Sequence, residues 1–125
     1  LSPTNPANAN ERELGPKTCA IERLVTRPDD IALVLSGRKT ATRRNGRYAD
    51  PGETMELGGA RFVVDRVYRQ SIGELTEPDA VSEGFDSLAQ YEAHIRSMHP
   101  GMPWLPNMKM WVHEFRRLDD ELPAL

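Results

Sequence analysis

The sequence predicts a single α+β domain, and three observations carry that prediction. Two extended segments flank a Gly58-Gly59 pair, two amphipathic segments bear helix start and stop signals, and large apolar residues fill Met108 to Phe115. With 125 residues, 38% of them hydrophobic and 28% charged, the chain holds one soluble core but not two full domains.

Residues 1–16 carry three prolines and three asparagines, and too little apolar surface to offset the entropy of ordering. They read as a flexible N-terminal arm, ahead of a domain spanning 17–118 and an acidic C-terminal tail, 119–125. The first helix opens at Pro28, which suits an initial turn, and Asp29 and Asp30 are favoured there by the helix dipole. Ile31, Val34 and Leu35 share one face, and Gly37 is a natural stop. Glu53 to Leu57 and Arg61 to Tyr68 read as a hairpin, because paired glycines supply the positive φ of a tight turn. Ser87 and Gln90 have the spacing of a capping box, which starts a second helix. Its stripe of Leu88, Tyr91, Ile95 and Met98 is expected in the core, and Pro100-Gly101 ends it. Met108 to Phe115 is apolar at both parities and fits a strand buried on both faces, although its period also allows a short helix.

Composition narrows the function classes. A net charge of -3 gives no global attraction for nucleic acid, so any basic surface is local. The longest apolar run, Ile31 to Leu35, is far below the roughly 20 residues that span a bilayer, and no secretion signal is present. A cytoplasmic protein with no membrane partner is expected. Cys19 is the only cysteine and builds neither an intrachain disulfide nor a structural zinc site. His94, His99 and His113 lack metal-motif company, and no phosphate-cradling glycine motif occurs, so neither metal nor cofactor is expected.

Charge is segregated along the chain. Arg38, Lys39, Arg43, Arg44 and Arg47 crowd one short segment without an acid, whereas no Lys or Arg lies between Arg69 and Arg96. Such a segment is a reasonable phosphate contact. It is equally a solvated face balanced by Glu74, Glu77, Asp79, Glu83, Asp86 and Glu92.

The ordered series Gly37-Arg38-Lys39-Thr40-Ala41-Thr42-Arg43-Arg44, Pro51-Gly52-Glu53, Ala80 to Phe85 and a closing strand with Trp111, Val112 and Phe115 resembles the ASCH domain. The likeness runs from about Ile21 to Leu118. It implies a PUA-like fold, a small curved β-barrel flanked by two to three helices, with a cleft associated with RNA or nucleosides. One branch, small bacterial amidohydrolases that deacetylate N4-acetylcytidine, has Gly-Arg-Lys-Thr-x-Thr-x-Arg at this place, and Gly37 to Arg44 fits every specified position. That branch implies Lys39 as proton acceptor, Thr42 as nucleophile and Glu83 as proton donor. A longer connection, Gly101 to Asn107, sets this chain apart and is expected near the cleft, with Trp104 as its exposed aromatic.

The chemistry imposes conditions. A threonine hydroxyl needs a neighbouring base to attack an amide carbonyl, and Lys39 is a base only in its neutral form. Glu83, as donor, is expected in apolar surroundings such as Phe85 provides. Side chains three apart on a straight strand face opposite ways, so Lys39 and Thr42 meet only if the chain bends between them, with Lys39 on the turn and Thr42 starting the strand. The competing reading is an RNA-binding module, with strand cleavage as a further activity. There Arg38, Arg43, Arg44 and Arg47 contact phosphates of single-stranded RNA and Trp104 stacks on a base. The partner is thus a modified nucleoside or single-stranded RNA.

Overall fold

The computed structural model describes Lys17 and residues 19–118, and the expected arm 1–16 and tail 119–125 lie outside the described residues. The helix expected after Pro28 is α1, Pro28–Leu35, with Asp29 and Asp30 in its first turn. The basic segment then forms strand β1, Ala41–Arg44. The hairpin is β2, Thr54–Leu57, and β3, Ala60–Ser71. A short helix, α2, Glu77–Ser82, was not anticipated, and α3 follows at Leu88–Met98. The last element is strand β4, Lys109–Arg117, which excludes the helical alternative for that segment. Single 3-10 turns occur at Ile21–Arg23 and Ile72–Glu74.

The four strands form one antiparallel sheet in the order β1-β4-β3-β2, curled into a half-barrel. This is the PUA-like α+β architecture that the motif series implies. At the hairpin turn Gly58 has φ +56°, and a Cβ there would sit 2.6 Å from Leu35 Cδ1, so only glycine admits the close approach of α1. β3 is longer than expected, because its second half is held by nine-residue β4 rather than by its own apolar pattern; a bulge between Val64 and Arg66 resets the register on the way.

Because β4 is covered on both sides, its neighbours sort into two cores. The inner face carries Met55, Leu57, Phe62, Val64 and Phe115 and packs on Ile21, Leu24, Val25 and Val34. The other face receives Ile72, Leu75, Ala80 and Tyr91, with Leu88, Ile95, Trp104 and Met110 against them. Met98, expected in the core, is instead 48% exposed: it lies in the last turn of α3, and its sulfur meets Arg27 Nη1 at 3.5 Å.

His113 of β4 is fully buried on the inner face. Its Nε2 accepts from the Tyr48 amide at 3.0 Å, so the neutral ring carries its proton on Nδ1, which donates to the Thr42 carbonyl at 3.3 Å. Burial, followed by the Arg44 charge among the lowering influences, takes the imidazole down to about 4. The unfolded chain therefore binds this proton at a higher pH than the folded one. His113 contributes stability above its ordinary pKa, and that contribution is lost as pH falls toward 4. Urea unfolding should show about 2 kcal/mol less stability at pH 5 than at pH 7 from this group. In His113→Gln that slope should flatten, and an unchanged slope would refute the assignment.

Candidate functional site

The sequence around β1 is folded so that its cations meet the acids after β3. The Arg38 and Lys39 amides both donate to Leu33 O, at 3.0 and 3.1 Å, so the end of α1 holds the start of the segment. The Thr40 amide donates to Ser82 O at 2.8 Å and ties the segment to the last residue of α2. That helix is started by Thr76, whose hydroxyl accepts from the Asp79 amide while Asp79 reaches back to the Thr76 amide. Glu83 caps it, and Gly84, at φ +97°, turns the chain away where Leu33 Cδ1 leaves no room for a side chain.

These links place Lys39 Nζ 2.7 Å from Glu83 Oε1, with both side chains 5% exposed. Arg43 Nη1 reaches Glu83 Oε2 at 3.1 Å, and Arg43 Nη2 reaches Asp79 Oδ1 at 3.0 Å. The Arg43 Nε donates to Gln70 Oε1 at 2.8 Å, and Gln70 Nε2 donates to Asp79 Oδ2 at 3.1 Å, which closes the network. Buried ions are tolerable only when so paired and hydrogen-bonded. Burial alone raises the Asp79 carboxyl, but the Thr76 hydrogen bonds and the Arg43 charge outweigh it and hold it below its ordinary value. Burial, and after it the Glu83 charge, push the Tyr91 phenol well up.

A cleft of about 370 Å³ opens beside this network, lined among others by Thr40, Ala41, Arg43, Asp79, Ser82 and Glu114. On its strand wall, Glu114 accepts from the Tyr68 hydroxyl at 2.8 Å. Burial, then this hydrogen bond, raise the Tyr68 phenol.

Of the residues singled out in the sequence, the structure brings together Lys39, Glu83 and Arg43. Thr42 is the second residue of β1, which begins at Ala41, and is buried, but it pairs with His113 while Arg43 pairs with Val112, so Thr42 and Arg43 point to opposite faces of the strand. Two cations flank the Glu83 carboxylate, and Tyr91, on which Phe85 stacks at 5.0 Å, lies against it with its phenol hydrogen-bonded to Glu83. Arg38 is exposed and 3.3 Å from Asp86. Arg44 stacks on Tyr48 and bonds the Leu24 carbonyl, and Arg47 is buried with Nε 3.0 Å from Asp50 Oδ1. Trp104 is half-buried rather than exposed, with the Arg96 guanidinium 4.3 Å from its ring centroid. Its connection runs against the Ile72–Glu74 turn, where the Gly73 amide donates to Pro106 O at 2.7 Å, and adds no residue to the cleft.

Gln70 and Glu114 went unnoticed in the sequence, and Asp79 and Tyr91 were singled out only as a balancing acid and as core. Only Asp79 had a local signal, the Thr76-Glu77-Pro78-Asp79 helix start.

The chain superposes on an ASCH domain from Lactobacillus crispatus JV V101 with a TM-score of 0.61 and 17% identity, over 71% of this chain and 70% of that one. It also superposes on a DUF984 protein from Enterococcus faecalis V583 with a TM-score of 0.56 and 21% identity, over 87% and 82% of the two chains. At these identities the likeness is one of fold, and the fold is that of an ASCH domain. No family model and no curated protein matches the sequence.

Burial separates the ion pairs by their worth. Arg43→Met strips Asp79 of its cation and Glu83 of one of its two, and should cost about 3–5 kcal/mol in urea unfolding at pH 7. Arg38→Met, which breaks an exposed pair, should cost no more than about 1 kcal/mol. Similar losses for the two variants would contradict this account of the network.

Proposed function

We propose that the chain hydrolyses the exocyclic amide of an N4-acylated cytidine nucleoside, with Lys39 and Glu83 as its proton-handling pair. The observation that carries this reading is the buried 2.7 Å contact between Lys39 Nζ and Glu83 Oε1, joined through Arg43 to the cleft that Arg43 and Asp79 line. In the proposed cycle these two adjacent groups act as base and acid in turn.

The cycle balances in two halves. It starts from the proton-transferred pair, a neutral amine beside a carboxylic acid. A hydroxyl attacks the acyl carbonyl and gives its proton to Lys39; the C–N bond then breaks as Glu83 protonates the departing cytosine amine. The enzyme is left as an acyl ester with an ammonium facing a carboxylate, the observed ion-paired arrangement. Water attacks the ester, its proton passes to Glu83, and the ammonium of Lys39 protonates the released hydroxyl, which restores the neutral pair. Arg43 holds the far carboxylate oxygen throughout.

In this reading Thr42 is the attacking residue, the role implied by the amidohydrolase branch that the motif resembles. The side-chain directions do not support that one assignment, since Thr42 shares the His113 face, whereas Thr40 and Ser82 line the cleft. The alternative, RNA binding through the basic run, finds less support. Arg43 is 2% exposed and wholly engaged, Arg47 is buried, and Arg38 has Asp86.

Incubation with N4-acetylcytidine should release cytidine and acetate. Lys39→Met and Glu83→Gln should each lower the rate by at least roughly 100-fold, with circular dichroism confirming that the variants fold. Thr42→Val should match that loss. Retention of activity in Thr42→Val but not Thr40→Val moves the nucleophile to the cleft side, and turnover in both Lys39→Met and Glu83→Gln removes the mechanism.

A further inference from the structure

The cleft does not end at its polar wall. Thr40, Pro78 and Ser82 line it, and the same three residues line a second concavity of about 450 Å³, so the two hollows adjoin along a shared boundary. That boundary is fixed by the Thr40 amide, which donates to Ser82 O at 2.8 Å. Thr40 follows Lys39 and Ser82 precedes Glu83, so the boundary lies one residue along the chain from each member of the buried pair.

The two hollows differ in chemistry. Arg43, Asp65, Asp79 and Glu114 wall the cleft and suit a polar ligand such as a nucleoside. The second hollow is a groove between α2 and the turn that follows α1, and its further members are Gly37, Arg38, Glu77 and Val81. Its two charged residues are engaged by groups that do not line it. Arg38 Nη2 lies 3.3 Å from Asp86 Oδ1 and 3.4 Å from Gly84 O, and Glu77 Oε1 accepts from the Leu88 amide at 3.0 Å. Their methylene stems are left to face the groove. The Ser82 hydroxyl is likewise taken, donating to Asp79 O at 2.7 Å. Val81, by contrast, is 54% exposed although aliphatic. A groove of Pro78, Val81 and methylene stems gains most from being covered by hydrocarbon.

We propose that this groove is the acyl subsite of the reaction, and that the preferred substrate carries a medium-length aliphatic acyl chain rather than acetyl. The proposal rests on the hydrolytic reading above. The base and sugar occupy the polar cleft, the amide crosses the boundary at Thr40 and Ser82, and the chain runs along Pro78 and Val81. An acetyl methyl group would leave most of the groove to water. Val81 is thus the residue that sets the preference for chain length.

N4-ethylcytidine and N4-hexylcytidine have no amide to hydrolyse, so calorimetric titration with them reads binding without turnover. Each added methylene laid in an open groove is worth roughly 2-fold, so the hexyl compound should bind roughly 10-fold tighter or more. Val81→Asn should bring the two affinities to within roughly 3-fold of each other. Val81→Leu should keep the preference, and Met98→Gln, at an exposed apolar position outside the groove, should leave it unchanged. Equal affinities in the unaltered protein overturn the proposal, as does a preference that survives Val81→Asn or a failure to bind either compound. Cytidine release from N4-acetylcytidine and N4-hexanoylcytidine is followed in parallel, and the hexanoyl substrate should have the higher kcat/KM by roughly 10-fold. Release without any chain-length preference in binding removes the groove and keeps the hydrolase. A Val81-dependent preference without release from either substrate removes the hydrolase and keeps the groove as the site of the N4-linked chain.

Discussion

A buried carboxylate held between two cations is the constraint on which the site depends. Removing Lys39, Glu83 and Arg43 from water is expensive, and mutual attraction repays it only with good geometry and few unmet hydrogen bonds. The surrounding backbone is arranged to supply both. The end of α1 fixes Lys39, the Thr40 amide docks α2 beside β1, and Asp79 and Gln70 take the Nη2 and Nε of Arg43. Asp79 and Glu83 come from α2 and its C-cap, so the ion network and the docking of α2 depend on each other.

β4 explains why one sheet supports two unlike environments. Its residues are buried at both parities, Trp111, His113 and Phe115 on the inner face and Val112 on the other. Neighbouring side chains on β1 are thereby sent to different chemistry. Arg43 enters an acidic network, whereas Thr42 and Arg44 enter an inner face where a neutral histidine and stacked guanidiniums share the space. A one-residue slip of β1 against β4 would exchange these fates, and the paired ends of the strand, Ala41 with Glu114 and Arg44 with Trp111, oppose it.

Much of the fold was legible because its signals are local. The hairpin was announced by Gly58-Gly59, α1 by Pro28 and its acidic first turn, and α3 by Ser87. What escaped lacks a local signal or depends on distant partners. α2 is six residues long, too short for a period to show, and only its Thr76–Asp79 cap betrays it. β1 is hidden in a basic run that reads as a solvated face, and the acids that neutralise it lie some forty residues on, at Asp79, Glu83 and Asp86. The last three residues of β3, Arg69, Gln70 and Ser71, carry no apolar signal, and pairing with Trp111, Met110 and Lys109 of β4 makes them strand. Lys39 lies beside Glu83 while Thr42 shares the His113 face, because spacing along a chain does not say on which face a strand begins.

The position that the motif leaves unspecified is the one this chain uses most heavily. Arg43 fills the open place between Thr42 and Arg44, and it alone touches Glu83, Asp79 and Gln70. An aliphatic residue there would complete the outer core without ions, leaving Lys39 as the single counter-charge of Glu83. With arginine present, Glu83 has a cation on each carboxylate oxygen, Lys39 Nζ at 2.7 Å and Arg43 Nη1 at 3.1 Å. The carboxylate is thereby held from both sides, which a two-member pair in a dry interior does not achieve.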